Sequence, residues 1–488
     1  MRELNIRDST GFCSIHAALS HIQERFESED THDKRASILE DTIELLTGAP
    51  LDWLFPEVNA DLRGQYLRLV NSFTCYAALP VCETDSGTLP AQSYESIPVK
   101  SQAVSAVLLA LSAQIEKFLV KQNGASIKSL VRTLAPSLYI FAVTHLHKHP
   151  WTDGPSRKKA SELLTALLRM TGSGSVQELL SGKPDVAKKG VFGPVLHTLQ
   201  SELTQKNWKR NQAVKHVFST TLVQVEQPWL TDYLENVFPP SLLISDDYHI
   251  ENKILGVHCL HHIVLNVPAA DLRQFNRAQV LYHTLFNHLY TSEAALVQVV
   301  LPCLIDLLPI LEKSSAHASF PCISNRFDDL LCHILTYMEM EHKLDLRQVY
   351  AKNLVLLIDR MGISVIRHLK RLERVIVGYM EVSDAPEEKA RLSILDALQK
   401  TLQIAWPRME KRRDSLAQSL LRFLVDVSSD SSPTELKEQL MTKASHCLLL
   451  LVHCSKGKLQ ALLREVDSSC VPDPVFKCIQ NVLAASCP

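Results

Sequence analysis

Apolar residues recur along most of this chain every three to four positions, the spacing of one face of an α-helix. In the stretch 276–290, the residues on one such face are Val280, Leu281, Leu285, Phe286 and Leu289. The stretches 101–120, 363–380, 410–427 and 435–453 show the same periodicity. No run shows the sustained alternation of apolar and polar residues that is typical of half-buried strands. The pattern predicts an all-α protein.

The helices are predicted to form a repeat array. Roughly eighteen to twenty helical segments follow one another with short breaks, and pairs of them recur about every 40 residues, the spacing of HEAT and armadillo units. No strict internal consensus accompanies this spacing. The predicted architecture is a HEAT/armadillo-like superhelix, or α-solenoid, whose stacked pairs share a core and expose long surfaces that bind other proteins.

Proline, glycine and serine clusters mark the predicted breaks between helices. The longest, 80–98 (PVCETDSGTLPAQSYESIP), is polar and bounded by prolines, so we expect a flexible linker there. It lies within a predicted N-terminal helical region, 1–130, which precedes a predicted C-terminal repeat array, 131–488. Shorter breaks are predicted near 149–156, 182–190, 239–247, 313–325, 382–386 and 428–433.

Three short motifs predict helix starts, because a serine or aspartate followed three residues later by a glutamate can form a capping box. They are Ser175–Glu178, Asp384–Glu387 and Ser432–Glu435. In the last motif, a proline at the first helical position adds to the signal.

Composition narrows the class of protein. Of 488 residues, 46% are hydrophobic, which is enough to bury a continuous core and argues against wholesale disorder. The formal charge of -2 does not favour a nucleic-acid binder, because such proteins usually carry a basic excess. The longest apolar stretch, 296–311, contains Gln298, Asp306 and two prolines, so we expect a core helix there and no membrane span. The N-terminus lacks the apolar run of a signal peptide.

The twelve cysteines contain no C-x-x-C pair, and several lie in apolar helical stretches. Free buried cysteine behaves as a small hydrophobe. The chain also has no N-x-[ST] sequon for N-glycosylation, which agrees with a cytoplasmic or nuclear protein. We therefore expect reduced thiols in a cytoplasmic protein, with the nucleus as a second location, and no disulfide framework.

No motif for phosphate binding, serine hydrolysis or zinc proteolysis is present. His258 and His262 would share one helix face and could take part in a zinc site. The alternative, which the apolar surroundings favour, is histidines packed against neighbouring elements. The run THLHKHP (144–150) places three further histidines at a predicted helix end, where the helix dipole favours cations. The sequence predicts no catalytic residue, no cofactor and no bound metal.

Polar and charged residues outside the apolar stripes are the candidates for binding another protein. One set forms a basic ridge: Arg367, Lys370, Arg371 and Arg374. This ridge is either a solvated face or a docking site for an acidic segment, from this chain or from a partner, and the acidic run 381–388 could itself neutralise it. Two further sets lie at or near predicted helix starts: Asp246, Asp247, Tyr248, Glu251, Asn252 and Lys253, then Asn276, Arg277, Tyr282 and His283. The acidic residues among them are also suited to capping a helix.

Four strings in the chain resemble the Tti2 family. They are LYIFAVTHLHKHPW (138–151), WKRNQAVKHVF (208–218), SLLISDDYHIENKILGVHCLHHIVLNVPAADLRQFNRAQVLYHTLFNHLY (241–290) and RHLKRLERVIVGYMEVSDAPEEKARLSILDAL (367–398). The resemblance covers about residues 134–465 and is specific, because the strings are long and rich in polar residues.

The resemblance implies a subunit of the Triple T complex, together with the Tel2 protein and Tel2-interacting protein 1. It implies an adaptor for the HSP90 chaperone machinery that supports the folding, stability and assembly of PI3K-related kinases, and through them the DNA damage response and TOR signalling. It also implies a helical-repeat scaffold without enzymatic activity. Two other classes of function stay open: an importin-like transport adaptor that binds short peptide motifs, and a metal-dependent enzyme.

Overall fold

The computed structural model of the chain describes residues 14–56, 58–83, 89–122, 124–182, 190–312 and 325–486. These residues form twenty-three α-helices and five short 3-10 helices, and they contain no strand. The prediction of an all-α protein is confirmed. Most of two predicted breaks, 182–190 and 313–325, lies outside the described residues.

The chain divides into two compact units, 1–245 and 246–488. In unit 1, α4 packs on α1 and α6, while α5 packs on α2 and α7, so alternate helices form two layers. The helices of unit 1 are α1 (Ile15–Ser28), α2 (His32–Gly48), α3 (Leu51–Leu54), α4 (Ala60–Tyr76), α5 (Ile97–Lys121), α6 (Ala125–Leu146), α7 (Gly154–Thr171), α8 (Val176–Ser181), α9 (Phe192–Leu199), α10 (Gln212–Leu222) and α11 (Leu234–Ser245).

Unit 2 repeats the same arrangement more regularly. Its helices are α12 (Ile250–Asn266), α13 (Ala269–Arg273), α14 (Arg277–Asn287), α15 (Ala294–Leu311), α16 (Arg326–Met340), α17 (Leu344–Met361), α18 (Leu369–Glu381), α19 (Lys389–Met409), α20 (Arg413–Ser429), α21 (Thr434–Cys454), α22 (Lys458–Arg464) and α23 (Asp473–Ala485). One layer contains α12, α15, α17, α19, α21 and α23, each packed on the next, and the other contains α14, α16, α18 and α20. This stacking of antiparallel helix pairs confirms the predicted HEAT/armadillo-like fold.

The helix α15 shows how the core is built. It packs against α12, α14 and α17, so it needs apolar side chains over most of its circumference. Its fully buried residues include Val297, Val300, Leu301, Leu304 and Leu308. Burying each such side chain contributes about 1.5–3 kcal/mol relative to leaving it exposed. This layer of apolar contacts holds the neighbouring repeats together.

Two stretches, Ala91–Lys121 and Ala294–Leu311, are long and apolar enough to cross a membrane by length and composition alone. Half of each apolar window is buried within the protein. Because the core helix of a soluble protein meets the same criteria, this is weak evidence for a membrane span.

The helix starts only partly follow the predicted capping boxes. Ser175 accepts a hydrogen bond from the Glu178 N–H at 3.1 Å, as predicted. The prediction at Ser432 is wrong, because its hydroxyl donates to Asp430 and leaves the start of α21 without a side-chain cap. Asp384 does accept backbone N–H groups, but from Ala390 and from residue 391, so α19 begins later than the motif suggested.

The predicted break at 239–247 is misplaced, because α11 runs through Pro239 and Pro240 to residue 245. A proline inside a helix removes a hydrogen bond and usually breaks or kinks it. Here Phe238, Ser241 and Ile244 are buried, so tertiary packing outweighs the local cost of the two prolines.

The described flanks of the predicted linker are packed. In the flank 89–98, Tyr94 lies 5.8 Å from the Trp151 ring, and both side chains are buried. In the flank 80–83, the Cys82 N–H donates to the Arg210 carbonyl at 2.8 Å. Residues 84–88 lie outside the described residues. The division of the chain near residue 130 falls within α6, differs from the two compact units, and stays a prediction.

Gly190 closes the loop between α8 and α9 by a close backbone approach. The Gly190 N–H donates to the Ser181 carbonyl at 3.3 Å, and the Val191 N–H donates to the Leu179 carbonyl at 3.1 Å. A Cβ atom at position 190 would lie 2.1 Å from the Leu180 carbonyl oxygen. Since that oxygen is backbone, it cannot move aside as the end of a flexible side chain can, so the approach requires glycine.

We therefore expect Gly190→Ala to lower the free energy of unfolding of the protein by on the order of 1–3 kcal/mol, measured by urea denaturation. Gly154→Ala is the control, because a Cβ at that helical position meets nothing within 4 Å. Equal stability of the two variants would show that the loop tolerates a side chain at position 190.

Candidate functional site

The predicted basic ridge lies where α18 begins. Arg367 belongs to the 3-10 turn Gly362–His368, and the other three basic residues belong to the first two turns of α18. The opposite face of α18 is buried in the array through Leu369, Leu372, Val375, Ile376, Tyr379 and Met380. This apolar stripe explains why the basic residues point away from the core.

Most of the ridge is paired with α16 of the same chain. The Arg371 guanidinium donates to both carboxylate oxygens of Glu339, at 3.1 and 2.9 Å, and Arg374 donates to the same carboxylate. The hydrogen bond from Arg371, with Arg374 adding to it, lowers the pKa of Glu339 to about 2. Such a two-pronged pair has a defined geometry, unlike a simple surface ion pair.

The Asp328 carboxylate anchors the other end of this contact. It lies 2.9 Å from the Arg367 guanidinium and 2.7 Å from His368 Nε2. Asp328 also forms a capping box with Asn325, which starts α16. We name Asp328, Glu339, Arg367, His368, Arg371 and Arg374 the α16–α18 charged seam. Among the described residues, Lys370 is the ridge residue without an ion pair.

The acidic segment that meets the ridge is therefore on α16, and it is not the run 381–388. Within that run, Glu387 pairs with Lys389, and the fully buried Glu388 pairs with Arg391 at 3.5 Å. The suggestion that this run neutralises the ridge is wrong, because its charges serve the start of α19 instead.

Arg391 is the centre of a buried polar network. Its Nε donates to the Met380 carbonyl at 3.2 Å, and its guanidinium lies 4.5 Å from the centre of the Phe423 ring. The Glu388 carboxylate also accepts hydrogen bonds from the Ser383 hydroxyl and the Asp384 N–H. These contacts tie the α18–α19 loop to both helices and to α20.

The first polar set, 246–253, divides between surface and interior. Asp247 and Asn252 are buried, and the Asn252 amide donates to the Asp247 carboxylate at 2.5 Å. Asp246, Tyr248 and Glu251 are exposed, while Lys253 is half-buried. The buried pair shapes the start of α12, and the exposed residues lie at the protein surface.

The second polar set, 276–283, surrounds a sharp turn. Asn276 and Phe275 both have left-handed backbone angles, and Phe275 is 73% exposed with the Arg277 guanidinium 5.0 Å from its ring. Tyr282 is buried, and the Arg326 guanidinium lies over it at 5.5 Å. His283 is exposed and lies 2.7 Å from the Gln279 amide. The binding of a partner by any of the predicted site residues stays a prediction.

An aromatic cluster beside this set was not predicted. Phe286 lies 5.4 Å from the Tyr282 ring and 5.0 Å from His333, which in turn lies 4.7 Å from Tyr337. Tyr290 contacts the same histidine and is 64% exposed. Part of the signal was available, because residues 282, 286 and 290 recur every four positions, although Tyr290 lies beyond the end of α14.

The histidines of α12 have separate partners. His261 Nε2 lies 3.0 Å from Asp306, whose other oxygen accepts from Arg360 at 2.9 Å. His262 lies 3.2 Å from the Asn266 amide. Within the described parts of the chain, no three histidine, cysteine or acidic side chains converge as metal ligands. The arrangement is that of side chains packed between helices.

Two of the three histidines near the end of α6, His145 and His149, do not serve as helix-capping cations. His149 stacks on Trp151 at 4.5 Å and lies 4.5 Å from His216, while His145 is buried. Burial, with neighbouring positive groups adding to it, lowers the pKa of His145 and His149 to about 4 and that of His216 to about 3. The expectation from the helix dipole is therefore wrong for His145 and His149, because desolvation keeps these imidazoles neutral.

These shifts predict a loss of stability in mild acid. A histidine whose pKa is lowered by folding stabilises the protein fully above about pH 6.5 and less as the pH falls toward 4, because the unfolded chain binds the proton more tightly. We expect the melting temperature, and with it the free energy of unfolding, to fall between pH 7 and pH 5. His149→Phe, which keeps a ring against Trp151, should reduce that fall by about 1 kcal/mol of unfolding free energy. The exposed His197→Phe is the control and should leave the fall unchanged.

The buried network predicts a second effect. Arg391→Met leaves the Glu388 carboxylate without its positive partner, and breaking a buried ion pair in this way costs on the order of 3 kcal/mol. Urea denaturation would measure the change. Arg408→Met, on the exposed face of the same helix, should be close to neutral. A stability of Arg391→Met equal to that of the control would contradict the stabilising role of the pair.

Comparison with known proteins shows where the chain belongs. The model of the Tti2 family matches residues 186–387. Human TELO2-interacting protein 2 is 44% identical over 461 residues, which are 92% of this chain and 89% of the human protein. The mouse protein of the same name is 44% identical over 87% of this chain and 82% of its own length. These matches extend beyond residues 134–465 and include part of the N-terminal region.

Among solved structures, yeast importin-β is 14% identical, with a TM-score of 0.49 over 97% of this chain and 57% of that protein. A likeness this low supports no functional argument. The relatives of high identity identify the family. Because nine-tenths of its length is matched at 44% identity, the chain belongs to the Tti2 family.

Proposed function

We propose that this chain is a non-enzymatic scaffold subunit of the Triple T complex. One observation carries the proposal: the 44% identity with human TELO2-interacting protein 2 over nearly the whole of both chains. That relative is named for its interaction with the TELO2 protein. The partners of this chain in the proposal are the TELO2 (Tel2) protein and Tel2-interacting protein 1.

The fold supports a role in protein binding. In unit 2, alternate helices bury their apolar stripes against one another, so the array presents polar helix faces over its length. Exposed large apolar residues lie in the short segments between those helices, among them Tyr248, Phe275 and Tyr290. Aromatic residues of this kind are enriched at the centres of protein interfaces.

The finer role follows from the family. In the proposal, the complex works with the HSP90 machinery to fold, stabilise and assemble PI3K-related kinases, and so supports the DNA damage response and TOR signalling. The chain acts in the cytoplasm and the nucleus, without a cofactor, nucleic acid or membrane. It contributes binding surface and no chemical step.

The experiment is co-purification of the full chain with the TELO2 protein from cells, followed by mass spectrometry. A constitutive complex that also contains Tel2-interacting protein 1 is the expected result. Recovery instead of many unrelated proteins that share a short peptide motif, with no TELO2 protein, would favour an importin-like adaptor and overturn the proposal.

Lys370 is the sharpest probe of the ridge. Reversing Arg371 or Arg374 would break their ion pairs with Glu339, so a lost complex could reflect a damaged fold. Lys370 is exposed and makes no such pair in the described structure. We expect Lys370→Glu to reduce recovery of the TELO2 protein about tenfold, if the ridge contacts an acidic partner at the interface.

The matched control is Lys352→Glu on α17, an exposed lysine in the other layer of unit 2. It should leave recovery unchanged. Full recovery with Lys370→Glu at a wild-type melting temperature would remove the ridge from the interface while leaving the rest of the proposal standing.

A further inference from the structure

Cys332 lies beside the α16–α18 charged seam and forms a row of contacts with two seam residues, His368 and Asp328. Cys332 Sγ lies 3.7 Å from His368 Nδ1, and His368 Nε2 lies 2.7 Å from Asp328 Oδ1. The cysteine and the aspartate are one helical turn apart on α16, and the histidine precedes α18. Contact between two helices of adjacent repeats therefore creates the group.

The hydrogen bond to Asp328 sets the state of the imidazole. A carboxylate accepts hydrogen bonds and does not donate them, so the hydrogen of neutral His368 resides on Nε2. Nδ1 then presents its lone pair to the Cys332 thiol and can take its proton. Asp328 is buried and is held in place by Arg367 and by the Asn325 N–H, so the imidazole has a fixed orientation.

A positive group, the Arg371 guanidinium, also lies near the cysteine. Arg371 donates to the Cys332 carbonyl at 3.3 Å, and the Cys332 side chain, after Glu339 as the larger cause, contributes to the raised pKa of Arg371. A thiolate at Cys332 would therefore have both an imidazolium and a guanidinium nearby. Positive neighbours of this kind are what make a cysteine reactive.

The other described cysteines differ in their surroundings. Cys259, Cys303 and Cys447 are fully buried, and burial raises the pKa of all three thiols, to about 12 for Cys259 and Cys447. Cys332 is half-buried, so it is less enclosed than these three while the nearby charges remain partly desolvated. The two ring nitrogens of His368 face different partners, so the group does not converge on a metal ion.

We propose that Cys332 is a nucleophilic thiol that reacts with hydrogen peroxide, with His368 as its base and Asp328 as a positioning residue. The thiol proton passes to His368 Nδ1. The sulfur then attacks one peroxide oxygen: an S–O bond forms, the O–O bond breaks, and the leaving hydroxide takes the proton from His368 to become water. Cysteine is oxidised by two electrons to sulfenic acid, and the peroxide is reduced.

This modification would alter a surface predicted to bind a partner. Arg371 contacts both Cys332 and Glu339, so a polar oxygen added at the sulfur changes the surroundings of the same guanidinium. The reaction is a single covalent event on the chain and needs no turnover, so it is compatible with a scaffold.

The test is the rate of sulfenic acid formation in the full-length protein at pH 7. Limiting hydrogen peroxide is added, dimedone traps the product, and mass spectrometry of peptides gives the rate at each cysteine. We expect Cys332 to react at least about tenfold faster than the exposed Cys470 and the half-buried Cys478. The buried Cys259 and Cys303 should stay unmodified and so report that the protein is folded.

His368→Gln should reduce the rate at Cys332 to that of Cys478, and Asp328→Asn should reduce it part of the way. His261→Gln is the matched control, because it removes another histidine–aspartate pair of unit 2, whose neighbouring thiol, Cys303, is fully buried. A wild-type Cys332 that reacts no faster than Cys478 would overturn the proposal. So would an unchanged rate in a folded His368→Gln variant. If that variant unfolds, Cys259 will become labelled. The proposal is then tested by the rate at Cys332 compared with that at Cys478 in the wild-type protein.

Discussion

Burial of apolar helix stripes between neighbouring repeats is the interaction on which the rest of this structure depends. In unit 2, a helix such as α17 packs on α15 and α19 in its own layer and on α16 in the other. None of these helices could bury its apolar face alone, because each stripe is covered only when the next repeat is in place. Stability therefore increases with each repeat added to the array. The polar helix faces are not needed for this apolar packing.

Ion pairs between charged groups set the register of this apolar packing. Glu339 and Asp328 on α16 hold the basic residues that begin α18, and Glu388 with Arg391 holds the loop that begins α19. Exposed pairs contribute little to stability on their own. Their geometry matters more, because it sets the register between adjacent repeats and decides which charges remain at the surface. In the ridge, Lys370 is the basic residue that forms no ion pair with the described parts of the chain.

In the proposal, the same contact gives a helical-repeat protein one reactive thiol. Cys332, His368 and Asp328 meet because two repeats pack there, and no pocket for a large substrate is required. Membership of the Tti2 family accounts for a protein-binding role, and the proposed thiol reaction would act on the same surface. Binding and modification would then share one helix contact, since Arg371 belongs to both.

The sequence by itself determined the local structure of this protein. Apolar residues three and four positions apart predicted the helices, the 40-residue recurrence predicted the repeat fold, and polar strings such as 241–290 placed the chain in its family. These features are local or are carried by residue identity, so a single sequence displays them. Ser175, whose partner is three residues away, was predicted correctly for the same reason.

Only the tertiary structure decided which polar residues remain exposed. The prolines of α11 stay within a helix because buried neighbours such as Phe238 outweigh them, and His149 is neutral because Trp151 and His216 cover it. The seam joins residues 32 to 40 positions apart, as in Arg371 with Glu339 and His368 with Asp328. Which pairs form depends on the rotation of one packed helix against another, and periodicity along the chain does not contain that information.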